Sequence, residues 1–245
     1  MNVGFIIHCG TFSYAEMPLD FAFIGDVTGT LKPLATTEKY ILREVYRAQK
    51  TTYMPSVFGS SNRTFDERTD VEVVTESGYF MRIRGEIDTI CNASRAILVF
   101  FESEIKLIKF YNSDELSSLE GDVQIITEKV SVKNRDLYIK RAATIGRVTL
   151  LTRTFGRGTD FICRNQDLLA KGCVHVLQTF LSEELSEEYQ IMGRGARQGD
   201  CGFYRMVLLS KDLEWILGSA WKEELKKIEG SHLYKVLKQA RNKFL

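Results

Sequence analysis

The sequence of 245 residues has little of what marks a metal-binding, secreted, membrane or nucleic-acid-binding protein. Its five cysteines form no Cys-x-x-Cys pair and no zinc spacing, which favours reduced thiols and a cytoplasmic location. No apolar run is long enough to span a bilayer, and residues 1–8 lack the basic start of a secretory signal. A net charge of +1 provides no extended basic surface for DNA or RNA.

Two segments that bind phosphate and metal in P-loop ATPases are also missing. The chain has no Gly-x-x-x-x-Gly-Lys-Ser/Thr sequence, whose backbone and lysine cradle the phosphates. It has no Asp-Glu-Ala-Asp-like segment either, whose acid helps to hold magnesium. We therefore expect no metal site in this chain, and we do not expect the isolated chain to hydrolyse ATP.

Apolar strands and helical segments alternate between residues 70 and 210. The continuous apolar run 96–101 is typical of a parallel strand that is buried on both faces. This alternation predicts an α/β fold, with a parallel sheet, right-handed crossovers and helices on both faces. The other predicted strands are at 21–26, 71–75, 123–127, 147–152, 173–177 and 203–209. The predicted helices are at 37–48, 78–93 and 134–143, after Ser103 and Ser182, and in the tail from 221 to 244.

Two motifs carry the chemistry of the chain. The first is a glycine-rich loop directly after the strand at 147–152, and open α/β sheets place their ligands at such loops. Its residues are Gly156, Arg157, Gly158, Thr159 and Asp160.

The second motif sets arginines between glycines, and a planar guanidinium matches phosphate oxygens. Its residues include Gln190, Gly193, Arg194, Arg197 and Asp200. Taken alone, the second motif could also be a glycine-capped helix end with solvated arginines.

In combination, the two motifs resemble motifs V and VI of the SecA protein-translocase ATPases. The family has a Gly-Arg-Gly-Thr-Asp loop, then a strand like the one at 172–177, then an arginine segment ending in Gln-Gly-Asp. Residues 27–30 are similar to the Met-Thr-Gly-Thr motif of the family, which lies upstream. The resemblance follows the order of the family from about residue 20 to about residue 210.

The resemblance implies a RecA-like fold of the helicase C-terminal type, in three parts. Residues 1–35 would end a preceding motor domain, residues 36–210 would form the second nucleotide-binding domain, and residues 211–245 would be a helical extension. That extension would either dock on the domain or begin a longer scaffold helix.

The resemblance also implies roles for the motif residues. Arg194 and Arg197 would contact the γ-phosphate during hydrolysis, while Arg157 could instead tie the two motifs together. The remaining motif residues would shape a nucleotide site, and Thr28, Gly29 and Thr30 would face the cleft between two motor domains. ATP with Mg²⁺ would bind only beside a Walker-containing motor domain in cis. A polypeptide substrate or a translocation channel would be a further partner, and nucleic acid would not.

The chain departs from the family pattern at α-helical positions before the arginines. Met192 replaces an arginine, and an acidic helix replaces a basic one. We expect its glutamates, at 183, 184, 187 and 188, to be solvated.

These departures from the family pattern support an alternative function, a non-catalytic interaction module that retains the RecA-like fold. A nucleic-acid helicase half is a third hypothesis, which the near-zero net charge disfavours. His175 is predicted to be a structural histidine of its strand rather than a catalyst.

Overall fold

The central strand of the sheet, β3 (Ala96–Phe101), consists of six apolar residues, and all six are buried in the computed structural model. Its side chains alternate between two hydrophobic cores. Leu98 and Phe100 belong to one core, and Ile97 and Val99 belong to the other. Because both faces of this strand exclude water, both faces of the sheet must be covered by helices.

Seven strands form one sheet, in which every pairing is parallel. The other six are β1 (Asn62–Thr64), β2 (Val71–Val74), β4 (Val123–Ile126), β5 (Val148–Thr152), β6 (Val174–Gln178) and β7 (Cys201–Leu209). The spatial order is β1-β7-β6-β3-β5-β4, and β2 also pairs with β7. In register, Val99 lies between Leu150 of β5 and Leu177 of β6. The predicted parallel sheet is confirmed.

The structure describes residues 10–11, 13–29, 34, 36–55, 57–59, 61–117, 119, 123–196, 199–218, 221–223 and 232–244. The chain divides into two compact units, Met1–Met54 and Pro55–Leu245. The described elements of the first unit are a 3-10 turn at Met17–Asp20, helix α1 (Thr36–Tyr40) and a π-helical turn at Ile41–Val45. The sheet lies entirely in the second unit.

Helices cover both faces of the sheet, as the sequence predicted. One face carries α2 (Glu76–Asn92), α3 (Glu104–Tyr111) and α4 (Asp114–Ser117). The other carries α5 (Val132–Ala142), α6 (Gln166–Ala170), α7 (Leu185–Met192), α8 (Ser210–Leu217) and α9 (Leu233–Phe244). The predicted cap at Ser103 is present, since its hydroxyl accepts a hydrogen bond from the Lys106 amide at 3.3 Å. Among the described helices, none is long and apolar enough to cross a membrane.

Two predicted elements differ from the structure. Residues 21–26 form no strand, and Phe23 is 86% exposed, because a strand needs a neighbour to pair with and the described part of the first unit has none. Helix α7 begins at Leu185 rather than at Ser182. The Ser182 hydroxyl is buried and accepts a hydrogen bond from Nε2 of Gln178 at 3.0 Å, so it does not cap the helix.

His175 is buried in β6, as predicted for a structural histidine. Its Nε2 lies 3.4 Å from Oε1 of Glu86, and its ring stacks at 6.5 Å on that of Phe203. Burial, helped by the positive charges of Arg95 and Arg205, lowers the pKa of His175 to about 3. The imidazole is therefore neutral in the folded protein throughout the physiological pH range.

Acidification is expected to destabilise the fold through His175. The unfolded chain takes up a proton near pH 6.5, whereas the folded chain does not until about pH 3, so the free energy of unfolding falls as the pH drops between these values. The loss at pH 5 amounts to about 2 kcal/mol. Urea denaturation at pH 7, 6 and 5 should show a flatter pH dependence for His175→Gln. A slope for His175→Gln equal to that of the parent would contradict the assignment.

Candidate nucleotide-binding site

The Gly-Arg-Gly-Thr-Asp loop leaves the carboxyl end of β5 through a 3-10 turn at Arg153–Gly156. Glu128, just beyond β4, accepts hydrogen bonds from the hydroxyl of Thr152 at 3.0 Å and from that of Thr154. Burial acts to raise the pKa of Glu128, but these hydroxyl donors hold it below its usual value. An ionised carboxylate thus anchors the loop at the sheet edge where α/β proteins bind ligands.

Glycine at position 156 allows this loop to touch helix α7. A methyl group in place of the Gly156 hydrogen would lie 2.4 Å from Cγ1 of Ile191. That distance is far inside van der Waals contact, so a larger residue would push the loop and the helix apart. At Gly158 the space is open, but φ is +64°, and glycine adopts this left-handed conformation without strain.

Arg194 joins the two motifs. It follows the end of α7, and its Nε donates to the carbonyl of Gln190 at 2.9 Å. Its Nη1 donates to the carbonyl of Thr159, in the glycine-rich loop. These bonds hold the planar guanidinium beside the loop, so that residues 35 positions apart in sequence form one surface.

Two further arginines bind the acidic start of α7. Arg153 donates through Nε and Nη2 to the carboxylate of Glu187, at 2.8 and 2.6 Å, and this hydrogen bonding raises the pKa of Arg153. Nη2 of Arg157 lies 2.7 Å from Oε2 of Glu184, and both side chains are about half exposed. Arg157 therefore ties the loop to Glu184, which precedes α7 and lies outside the arginine segment. These residues, with Thr154 and Glu183, line an open depression.

The expectation that the glutamates of this helix are solvated is wrong for Glu187 and Glu188, which are buried. The spacing of apolar residues could not predict this burial, because the inward face of α7 includes carboxylates. By contrast, the aromatic side chain of Tyr189 in the same helix is 38% exposed. Arg153 compensates the charge of Glu187, and Arg241 of α9 compensates that of Glu188 at 2.6 Å.

The end of the arginine segment is held by the first strand of the sheet. Gly199, with φ of +91°, forms a turn before Asp200, and its carbonyl accepts a hydrogen bond from Nδ2 of Asn62 at 2.6 Å. Asn62 also lies opposite Cys201 in the pairing of β1 with β7. This contact joins residues that lie 137 positions apart in the sequence.

The structure brings together four of the predicted site residues, Gly156, Thr159, Gln190 and Arg194. Arg197 and Thr30 lie outside the described residues. Thr28 and Gly29 lie in the first unit, exposed and in non-helical backbone. Glu128, Arg153 and Glu187 were missed, because single charged residues outside a motif give no signal in the sequence.

The fold and the contact between the two motifs define the class of protein, a RecA-like domain of the helicase C-terminal type. The structure of S. cerevisiae Dbp5 bound to RNA and ADP BeF3 is similar, with a TM-score of 0.52 and 15% sequence identity. The similarity covers 85% of this chain and 53% of that one. At this identity the likeness concerns the fold alone.

Sequence relatives identify the family, although no family model matches the chain. SecA 2 of Rhodopirellula baltica is 30% identical over 221 residues, which cover 86% of this chain and 31% of that protein. SecA of Vesicomyosocius okutanii is 26% identical over 210 residues, 77% of this chain and 22% of that protein. The chain is a relative of the SecA protein-translocase subunits, in their second helicase-like motor domain, as its motifs predicted. It spans less than a third of the length of either relative.

Proposed function

We propose that this chain forms one wall of the ATP site of a SecA-like translocation ATPase. The observation that carries the proposal is the hydrogen bond from Arg194 to the Thr159 carbonyl, which combines the two motifs into a single surface. The close approach of Gly156 to Ile191 supports it, because the loop and the helix meet only where a side chain is absent. ATP would bind between this wall and a Walker-containing motor domain.

Each predicted residue has a role in this proposal. Arg194 and Arg197 would contact the γ-phosphate, since a guanidinium with five donors can bind phosphate oxygens in addition to main-chain carbonyls. Arg157 would exchange Glu184 for a phosphate oxygen, because a half-exposed ion pair is worth only about 0–1 kcal/mol. The remaining residues would shape the wall, namely Gly156, Gly158, Thr159, Asp160, Gln190, Gly193 and Asp200.

The arginines fit the phosphates of ATP, but the magnesium ligand would come from the other motor domain. In the described part of the chain, no three His, Cys, Asp or Glu side chains are placed to hold a metal. Thr28, Gly29 and Thr30 would line the cleft between the domains. Boundaries at residues 35 and 210, a cytoplasmic location and a polypeptide or channel partner belong to the same proposal.

A second hypothesis is a non-catalytic interaction module with the same fold. Met192, which stands where the family has an arginine, is buried and contributes no charge. Arg153 and Arg157 are both paired with glutamates of this chain. A nucleic-acid groove is disfavoured on a separate ground, the near-zero net charge of the chain.

The isolated chain is expected to hydrolyse ATP no faster than background. It lacks the lysine and the magnesium ligands that hold the β- and γ-phosphates in line for attack. The measurement is steady-state phosphate release by the purified chain with and without Mg²⁺. Turnover that persists through further purification and disappears in Arg194→Ala would show that the chain has a complete site.

A further inference from the structure

Helix α7 is attached at its middle to the C-terminal helix α9. Glu188 is fully buried and accepts hydrogen bonds from the hydroxyl of Tyr234 and from Nη2 of Arg241, the latter at 2.6 Å. The Arg241 side chain is also buried, and its Nε and Nη1 have no hydrogen-bond partner among the described residues. Burial and the neighbouring carboxylate raise the pKa of Tyr234, so its hydroxyl stays protonated and remains a donor.

This attachment determines where α7 can lie. A buried carboxylate is tolerated only while its charge is paired and its oxygens are hydrogen-bonded. If α7 rotated or slid by even part of a turn, Glu188 would leave both donors while remaining out of water. Glu188 therefore holds the helix in one orientation relative to α9.

The same helix presents Arg194 to the glycine-rich loop. Gln190, whose carbonyl binds Nε of Arg194, is two residues after Glu188 on the same helix. The helical turn continues beyond α7: the Gly193 amide donates to the Tyr189 carbonyl at 3.1 Å, and the Arg194 amide donates to the Ile191 carbonyl at 2.9 Å. A change in the orientation of α7 would therefore move the Arg194 guanidinium away from the Thr159 carbonyl.

We propose that Glu188, Tyr234 and Arg241 are positioning residues, through which the docking of α9 sets the orientation of Arg194. The importance of that orientation for catalysis rests on the proposed function, but the coupling itself is a property of this chain alone. Whatever displaces α9 then changes the arginine segment at a distance, without touching the nucleotide.

The test is amide hydrogen exchange at Gly193 and Arg194, measured on the full chain without nucleotide. Tyr234→Phe removes one donor and retains the ring that packs on Phe65. Exchange at both amides should become about tenfold faster, the equivalent of one lost hydrogen bond to a charged group. Arg241→Gln should give a larger increase. Lys235→Gln is the matched control, since Lys235 is an exposed lysine of the same helix.

Amides of α2, on the opposite face of the sheet, report on global unfolding and should stay better protected than Gly193 and Arg194 in both the parent and Tyr234→Phe, which shows that these two amides exchange through a local opening. Unchanged exchange at Gly193 and Arg194 in both Tyr234→Phe and Arg241→Gln would overturn the proposal. Equal acceleration in Lys235→Gln would also overturn it, by assigning the effect to α9 in general. Because no nucleotide is present, these outcomes are independent of whether the chain contributes to an ATP site.

Discussion

Arg194→Lys is expected to lower ATP hydrolysis by about 10³–10⁵-fold in a protein that joins this chain to a Walker-containing motor domain, as the proposed function requires. The charge that develops during phosphoryl transfer spreads over three oxygens, and a planar fork can bind two of them at once. Lysine keeps the charge but presents it at a single point, and it cannot also reproduce the bonds to the Gln190 and Thr159 carbonyls. The measurement is steady-state ATP hydrolysis at saturating nucleotide, with kcat and KM determined separately.

Arg164→Lys provides the matched control for this experiment. Arg164 is an exposed arginine shortly after the same loop, so its replacement should leave the rate within a few-fold of the parent. Arg197→Lys should behave like Arg194→Lys if both arginines contact the γ-phosphate. Rates close to that of the parent for both substitutions would leave the interaction module as the better hypothesis.

Arg241→Met is expected to lower the free energy of unfolding by about 3–5 kcal/mol, because it leaves the charge of Glu188 buried and uncompensated. Methionine keeps an unbranched apolar stem, so the loss is confined to the guanidinium end that pairs with Glu188. Urea denaturation followed by circular dichroism, at pH 7, measures the change.

The double substitution Glu188→Met with Arg241→Met distinguishes the contribution of the ion pair to stability from the contribution of the packing around it. Replacing both charges by apolar groups should recover most of the stability, since the desolvation cost of the pair disappears with it. Lys238→Met should cost no more than about 1 kcal/mol, because its ion pair with Glu67 is partly exposed. An unchanged denaturation midpoint for Arg241→Met would show that α9 does not rely on this ion pair.

The sheet and the position of the glycine-rich loop at its carboxyl edge could be predicted from the sequence. The run 96–101 is apolar at every position, which only a strand with helices on both sides tolerates, and it is the central strand. The glycine-rich loop follows a strand of the same kind, so its place at the carboxyl edge was also predictable. Both features depend on residues adjacent in the chain, and local patterns are what a single sequence records.

The surroundings of the arginine segment could not be predicted in this way. The glutamates at 183, 184, 187 and 188 were expected to be solvated, but Glu187 and Glu188 are buried and paired with Arg153 and Arg241, which lie 34 and 53 residues away. A burial pattern in the sequence shows apolar residues facing inward, and it has no signal for a carboxylate that is buried because a distant arginine neutralises it.

By itself, the sequence determined the fold class, the family and the two motifs, because strands, helices and glycine-rich loops follow from local residue types and spacing. Only the tertiary structure decided which groups the arginines contact. Arg194 binds the Thr159 carbonyl, Arg157 binds Glu184, and Arg241 binds Glu188, each through hydrogen bonds that require the fold to bring distant residues within about 3 Å. The desolvation cost of a buried charge then makes such a contact obligatory at Glu188, although nothing in the neighbouring sequence specifies it.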